Sequence, residues 1–200
     1  NTASAKALRT IQQNDLRESG TPNRVLGVIR PTTEIAGRLS KTGHVGILAT
    51  PGTVNSESYP IEIRKFYPGI KVYQQACPLW VPLIENNEQN GPGADYFVKK
   101  YSDALLAQSS QIDTILLGCT HYPLLMDKLR AHFPASISLV PQGEIVAESL
   151  ADYLSRHPET ENRCSKNKKL AFYTTDSTED FDRHAGFFYG KEIHSEEVFL

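Results

Sequence analysis

Thr114-Ile115-Leu116-Leu117-Gly118-Cys119-Thr120-His121-Tyr122-Pro123-Leu124-Leu125 is the stretch that decides how this chain is read. Four apolar or β-branched residues run without a charged interruption into a glycine, as in a strand covered on both faces. A second apolar pattern then opens at Tyr122, with Pro123 where the first turn of a helix tolerates proline. Strand, short turn and helix in that order make half of a βα unit.

The same alternation extends in both directions. Strands are expected at about 25–29 (VLGVI), 45–49 (VGILA), 70–74 (IKVYQ), 113–118 (DTILLG), 136–140 (SISLV) and 169–173 (KLAFY). Between them, residues 32–41, 94–108 and 143–155 carry apolar residues at helical spacing, for example Phe97, Tyr101 and Leu105. Short strands alternating with amphipathic helices specify an α/β fold with a parallel sheet. Asn86 to Gly93 has no apolar residue and ends Gly-Pro-Gly, a loop; Arg156 to Lys168 is polar and reads as a solvated connection.

Bulk properties exclude several classes. A net charge of −2 with 22% charged residues offers no basic face for nucleic acid. No apolar run is long enough to cross a bilayer, and the opening Asn1-Thr2-Ala3-Ser4-Ala5-Lys6 has no secretory pattern. Three cysteines (Cys77, Cys119, Cys164) without CxxC spacing argue against a disulfide framework or zinc site and for a reducing compartment, the cytoplasm.

The chemistry is expected at Cys119. It lies at the carboxyl end of a parallel strand, where open α/β sheets bind ligands. A following helix N-terminus would lower its thiol pKa toward the physiological range. His121 offers a proton partner or electrostatic support, and Thr120 a hydroxyl and N–H for an anionic group. Plain structural readings stand beside these: Cys119 as a small buried apolar residue, His121 as a solvent-facing residue at a helix start.

Gly118-Cys119-Thr120-His121-Tyr122-Pro123-Leu124 resembles the second cysteine motif of glutamate racemases, in the aspartate/glutamate racemase superfamily. Asn1-Thr2-Ala3-Ser4 resembles the residues immediately after that family's first catalytic cysteine. Val28-Ile29-Arg30-Pro31, Ala49-Thr50-Pro51-Gly52-Thr53-Val54, Ala76-Cys77-Pro78-Leu79-Trp80-Val81-Pro82-Leu83-Ile84-Glu85 and Phe172-Tyr173-Thr174-Thr175-Asp176 match in order. The resemblance spans essentially the whole chain, and only the combination is specific.

The resemblance implies two parallel-sheet α/β domains with the active site in the cleft between them. Residues 24–138 would form one complete domain. Residues 1–23 and 139–200 would be parts of the other, which is incomplete here. The family's Asp-Ser glycine-rich turn and Tyr-Gly loop have no counterpart, and the first cysteine would occupy the position before Asn1.

The implied reaction is racemisation of glutamate by two cysteines acting as two bases, with no cofactor and no metal, supplying D-glutamate for peptidoglycan. The thiol at Cys119 would work on L-glutamate and the other on D-glutamate. His121 would assist Cys119, and Glu85 is the matching acid nearby. Asn1, Thr2, Thr53 and Thr120 are the matching substrate ligands, with Thr50 beside Thr53. Partners would be the glutamate substrate and a second copy in a homodimer, with no nucleic acid and no membrane.

Alternatives remain open at this level. Glu85 also reads as a solvated helix-end residue, Thr53 as the N-cap of a helix over Val54–Phe66, and Cys77 as structural. An aspartate racemase, or a non-catalytic amino-acid-binding module lacking one thiol, would share much of the pattern.

Overall fold

The computed structural model describes residues 1–20, 23–166 and 170–199. The chain divides into two compact units, Asn1–Asp152 and Tyr153–Leu200.

The first unit opens with short helical turns, α1 (Thr2–Lys6), α2 (Leu8–Thr10), a π-turn (Ile11–Asp15) and α3 (Leu16–Glu18), followed by α4 (Arg30–Leu39). Then come β1 (His44–Ala49), α5 (Pro51–Asn55), α6 (Ser58–Phe66), β2 (Lys71–Ala76), α7 (Trp80–Glu85) and α8 (Pro92–Leu106). After β3 (Thr114–Gly118) lie a 3-10 turn (Tyr122–Leu125), α9 (Met126–His132), β4 (Ser138–Val140) and α10 (Gly143–Arg156), whose last turn crosses into the second unit. The strands form one parallel sheet in the order β2-β1-β3-β4, with Ala49 level with Gly118.

Period-2 alternation sorts the core into two layers. Leu48, Ile115, Leu117 and Cys119 join Trp80, Val98, Tyr101, Leu105, Tyr122 and Leu129 in one. Val45, Ile47, Ala49 and Leu116 join Ile29, Ala36, Tyr59 and Ile63 in the other. Because helices cover both faces, β1 and β3 are buried along their whole length, which is why their sequences read as unbroken apolar runs.

At the amino end of the sheet, Asp113 ties β3 to the loop before β1. Its carboxylate accepts from Ser40 Oγ (2.6 Å), Lys41 N (2.7 Å) and Thr42 N (2.9 Å). Burial pushes this carboxyl up, but these donors and Thr114 together outweigh it and hold it near 2, below the ordinary 3.8. A depressed carboxyl stabilises the fold above its unfolded value, and that contribution is lost as pH falls from about 4 through 2. Asp113→Asn is expected to cost about 1–2 kcal/mol at pH 7 and to flatten stability between pH 4 and 2. Urea melts across that range check this; an unchanged pH dependence would refute it.

Three sequence expectations are corrected. Residues 25–29 form no strand: Val28 N donates to Ser4 Oγ (3.1 Å), and Val25 O accepts from Gln12 Nε2 (2.7 Å). The side chains of the N-terminal helical turns thus take backbone groups that a strand would pair. The helix expected over Val54–Phe66 is two helices, broken where Glu57 adopts a left-handed φ of 55°. The connection after Arg156 holds a short helix, α11 (Pro158–Glu161), started by proline; its residues 167 and 168 lie outside the described ones.

In the second unit, β5 (Phe172–Thr174) and β6 (Ser195–Glu197) pair in parallel around α12 (Thr178–Tyr189). Ser177 Oγ caps α12 by accepting from Asp180 N, and left-handed Gly190 ends it. Residue 169, the start of the expected strand, lies outside the described residues. Leu170, Tyr173, Phe187, Phe188, Tyr189 and Phe199 are exposed. Among the described residues, no helix is long and apolar enough to cross a membrane.

Candidate active site

In the order β2-β1-β3-β4, the connection from β1 leaves toward one edge and that from β3 toward the other. The carboxyl ends of β1 and β3 therefore lie side by side at the point where the winding reverses, the usual ligand site of an open α/β sheet. Thr50-Pro51-Gly52-Thr53 follows β1, and Cys119-Thr120-His121 follows β3.

On the β3 side, Cys119 Sγ lies 3.8 Å from His121 Nδ1. Thr120 Oγ1, on an exposed residue, is 3.5 Å from the same nitrogen. His121 Nε2 lies 3.1 Å from Glu85 Oε1 at the end of α7. Thiol, imidazole and carboxylate thus form a line in which one ring nitrogen faces the sulfur and the other is held by the acid. The turn is closed by Tyr122 N on Cys119 O (3.3 Å) and Leu124 N on His121 O (3.0 Å).

The surroundings of the sulfur overturn the expected low pKa. Burial pushes the Cys119 thiol up; the N–H groups of His121 and Tyr122 oppose this without outweighing it, and the Glu85 charge adds to the rise. Cys119 is only 8% exposed, in the layer with Trp80 and Tyr122. The segment after it starts as a 3-10 turn, not the expected helix. Desolvation therefore wins, and the resting group is a thiol beside an imidazole able to receive its proton.

Gly118 has a packing reason to precede it. A Cβ there would lie 3.0 Å from Ala49 Cβ and 3.2 Å from Tyr59 Cε2. A side chain there would require Ala49 or Tyr59 to shift by a few tenths of an ångström, so glycine suits the close approach of β3 to β1 and α6.

On the β1 side, three hydroxyls meet. Thr2 Oγ1 is 2.7 Å from Thr50 Oγ1 and 3.4 Å from Thr53 Oγ1, and Thr50 and Thr53 are 3.1 Å apart. Thr50 caps α5, so Thr53 is not an N-cap; it sits fully buried in the first turn of that helix. Asn1 Nδ2 donates to Tyr59 OH (2.7 Å) and Gln142 Oε1 (2.6 Å). Tyr59, Gln142 and Thr32, which completes that network, were not legible as site residues: a tyrosine on an amphipathic helix reads as core, and Gln142 follows a strand without any motif.

Cys77 is 1% exposed, with Sγ 3.6 Å from Gln75 O, and burial pushes its thiol far up, so its surroundings are those of a structural cysteine. Among the described residues, no group of three or more His, Cys, Asp or Glu is arranged to hold a metal ion.

Residues 5–150 match the profile of the Asp/Glu/Hydantoin racemase family. The chain belongs to that family. Among curated members, it is 32% identical to the glutamate racemase of Sulfurihydrogenibium sp., over all of this chain and 70% of that protein. It is 34% identical to the glutamate racemase of Persephonella marina, again over the whole chain and 71% of the relative.

Solved racemases superpose well. A glutamate racemase isoform from Bacillus anthracis matches with a TM-score of 0.85 and 28% identity, covering all of this chain and 71% of that one. The Francisella tularensis glutamate racemase, solved in complex with D-glutamate, matches with a TM-score of 0.82 and 28% identity over 99% and 70%. Like these members of the racemase family, the chain is an α/β isomerase.

Proposed function

We propose that this racemase interconverts L- and D-glutamate without cofactor or metal, using two cysteines as the two bases, and so supplies D-glutamate for peptidoglycan. The observation that carries the reading is the Cys119–His121–Glu85 line at the carboxyl end of β3, with the Thr2–Thr50–Thr53 hydroxyls at the carboxyl end of the adjacent β1. The chain's similarity to glutamate racemases, one of them solved with D-glutamate, supports the choice of substrate.

A planar carbanion must lose a proton from one face and gain one on the other, so two groups on opposite sides are required. His121 draws the proton from Cys119 when the substrate closes off water. The resulting thiolate breaks the α-C–H bond of L-glutamate and becomes a thiol. The second thiol, which the resemblance puts before Asn1 in the protein, delivers a proton to the opposite face and becomes a thiolate. The reverse direction exchanges these roles; after product release the imidazolium gives its proton to solvent and the second thiolate takes one back, so the starting state is restored with no net oxidation.

The hydroxyls of Thr2, Thr53 and Thr120, with the side chain of Asn1, take the carboxylates and ammonium of the substrate. In this reading, residues 24–138 are one domain and residues 1–23 with 139–200 belong to the second, each supplying one thiol. The molecule works in the cytoplasm as a homodimer.

The test is α-proton exchange of L- and D-glutamate in D₂O, followed by NMR with the full-length gene product. Deuterium entering both enantiomers, with interconversion and no added cofactor, is the expected result. A folded protein that exchanges neither, or that exchanges only aspartate, would overturn the assignment.

A further inference from the structure

Gln142, two residues beyond β4, ends in a buried polar network that the proposed proton transfers leave unused. Its Nε2 donates to Thr32 Oγ1 (3.1 Å) and to Tyr59 OH (2.5 Å), and its Oε1 accepts from Asn1 Nδ2 (2.6 Å). The same Asn1 nitrogen donates to Tyr59 OH (2.7 Å). Gln142 is 8% exposed, and Thr32 and Tyr59 are fully buried. Four separate elements, the residue before α1, α4, α6 and the loop after β4, converge on one amide.

The donor inventory of the Asn1 amide is then complete. An asparagine side chain has two N–H groups and one carbonyl oxygen. Both N–H groups of Asn1 are directed into the network, while Oδ1 is buried and has no hydrogen-bond partner among the described residues. Buried acceptors are ordinarily satisfied, so an orphan one marks a place for an incoming donor. Glutamate carries only one strong donor, its α-ammonium; both of its carboxylates are acceptors.

We propose that Gln142 and Tyr59 are positioning residues for the reaction. They hold Asn1 by its nitrogen, so that its carbonyl oxygen meets the substrate ammonium while Cys119 works on the neighbouring α-carbon. This rests on the reading of glutamate as substrate with Asn1 in its pocket.

The test uses the full-length protein and two substitutions at one site. Gln142→Met keeps the side-chain length and removes both polar ends. Gln142→Glu retains an acceptor for Asn1, while the hydroxyls of Tyr59 and Thr32 turn to donate. With Met, KM for both enantiomers is expected to rise about tenfold with kcat within about twofold, the loss of one well-made hydrogen bond. The Ki of glutarate, which has the two carboxylates and no ammonium, is expected to stay unchanged. With Glu, KM returns to within about threefold of the starting value.

If glutarate weakens in step with glutamate, the amide serves a carboxylate and the proposal is wrong. It is equally wrong if only thermal stability changes, or if kcat falls with KM intact. Should the Met variant not fold, Tyr59→Phe carries the same comparison, because it removes a single hydroxyl from the network. No glutamate turnover in the unsubstituted protein would overturn the substrate reading, and this inference with it.

Discussion

Cys119→Ala in the full-length protein is expected to abolish racemisation in both directions, by about 10⁴-fold or more. In the proposed mechanism the loss is symmetric, because the sulfur would abstract in one direction and protonate in the other. The fold should survive it. Removing one sulfur from a layer built by Trp80, Tyr122, Leu117 and Leu125 costs only about 1 kcal/mol. A calorimetric midpoint within a few degrees of the starting protein, with no turnover, is the combined signature. The remaining thiol still faces one side of the substrate, so slow α-proton exchange of one enantiomer without inversion would fit as well. Turnover within tenfold of the unsubstituted enzyme would reject Cys119 as a base.

His121→Asn is expected to lower kcat by about 10²-fold in the L-to-D direction, the typical worth of a positioned acid–base partner. The reverse direction should suffer less, because His121 stands beside Cys119 at 3.8 Å and is tethered at its other nitrogen by Glu85 at 3.1 Å. The two enantiomers are equal in free energy, so kcat/KM must remain matched in both directions. The asymmetry must therefore appear in kcat, with KM for L-glutamate falling in step. A larger primary isotope effect with α-deuterated L-glutamate than with the D form would accompany it. Equal losses of kcat, with equal isotope effects, would remove the one-sided role.

Both expectations depend on the surroundings of Cys119 as much as on its identity. Helix dipoles and N–H donors favour the thiolate, and those of His121 and Tyr122 are present. Burial among aromatic and aliphatic side chains opposes them and is the larger effect. In the proposed mechanism the imidazole therefore moves the proton and does not merely orient it.

Much of this molecule is legible in its residues. β1 and β3 are plain because both of their faces are buried, leaving no polar alternation to confuse with a loop. Residues 113–118 and Cys119 could be put at a strand's carboxyl end from Gly118 and Pro123 alone, and the ordered motifs point to the racemase family. The run VLGVI misleads because apolar content cannot say where its backbone hydrogen bonds go; here they go to Ser4 and Gln12. A Cβ at Gly27 would also lie 2.3 Å from Leu8 Cδ2, a close approach that no periodicity signals.

Local pattern thus determined the fold class, the family motifs and the place of the thiol, because strands, turns and helix starts are written in neighbours a few residues apart. Tertiary structure alone decided which groups meet there: Glu85 with His121 across 36 positions, Thr2 with Thr50 across 48, and Asn1 with Gln142 across 141. It also decided the direction in which the thiol titrates. Desolvation sums over every atom packed around the sulfur, and those atoms come from segments that no short window of sequence contains.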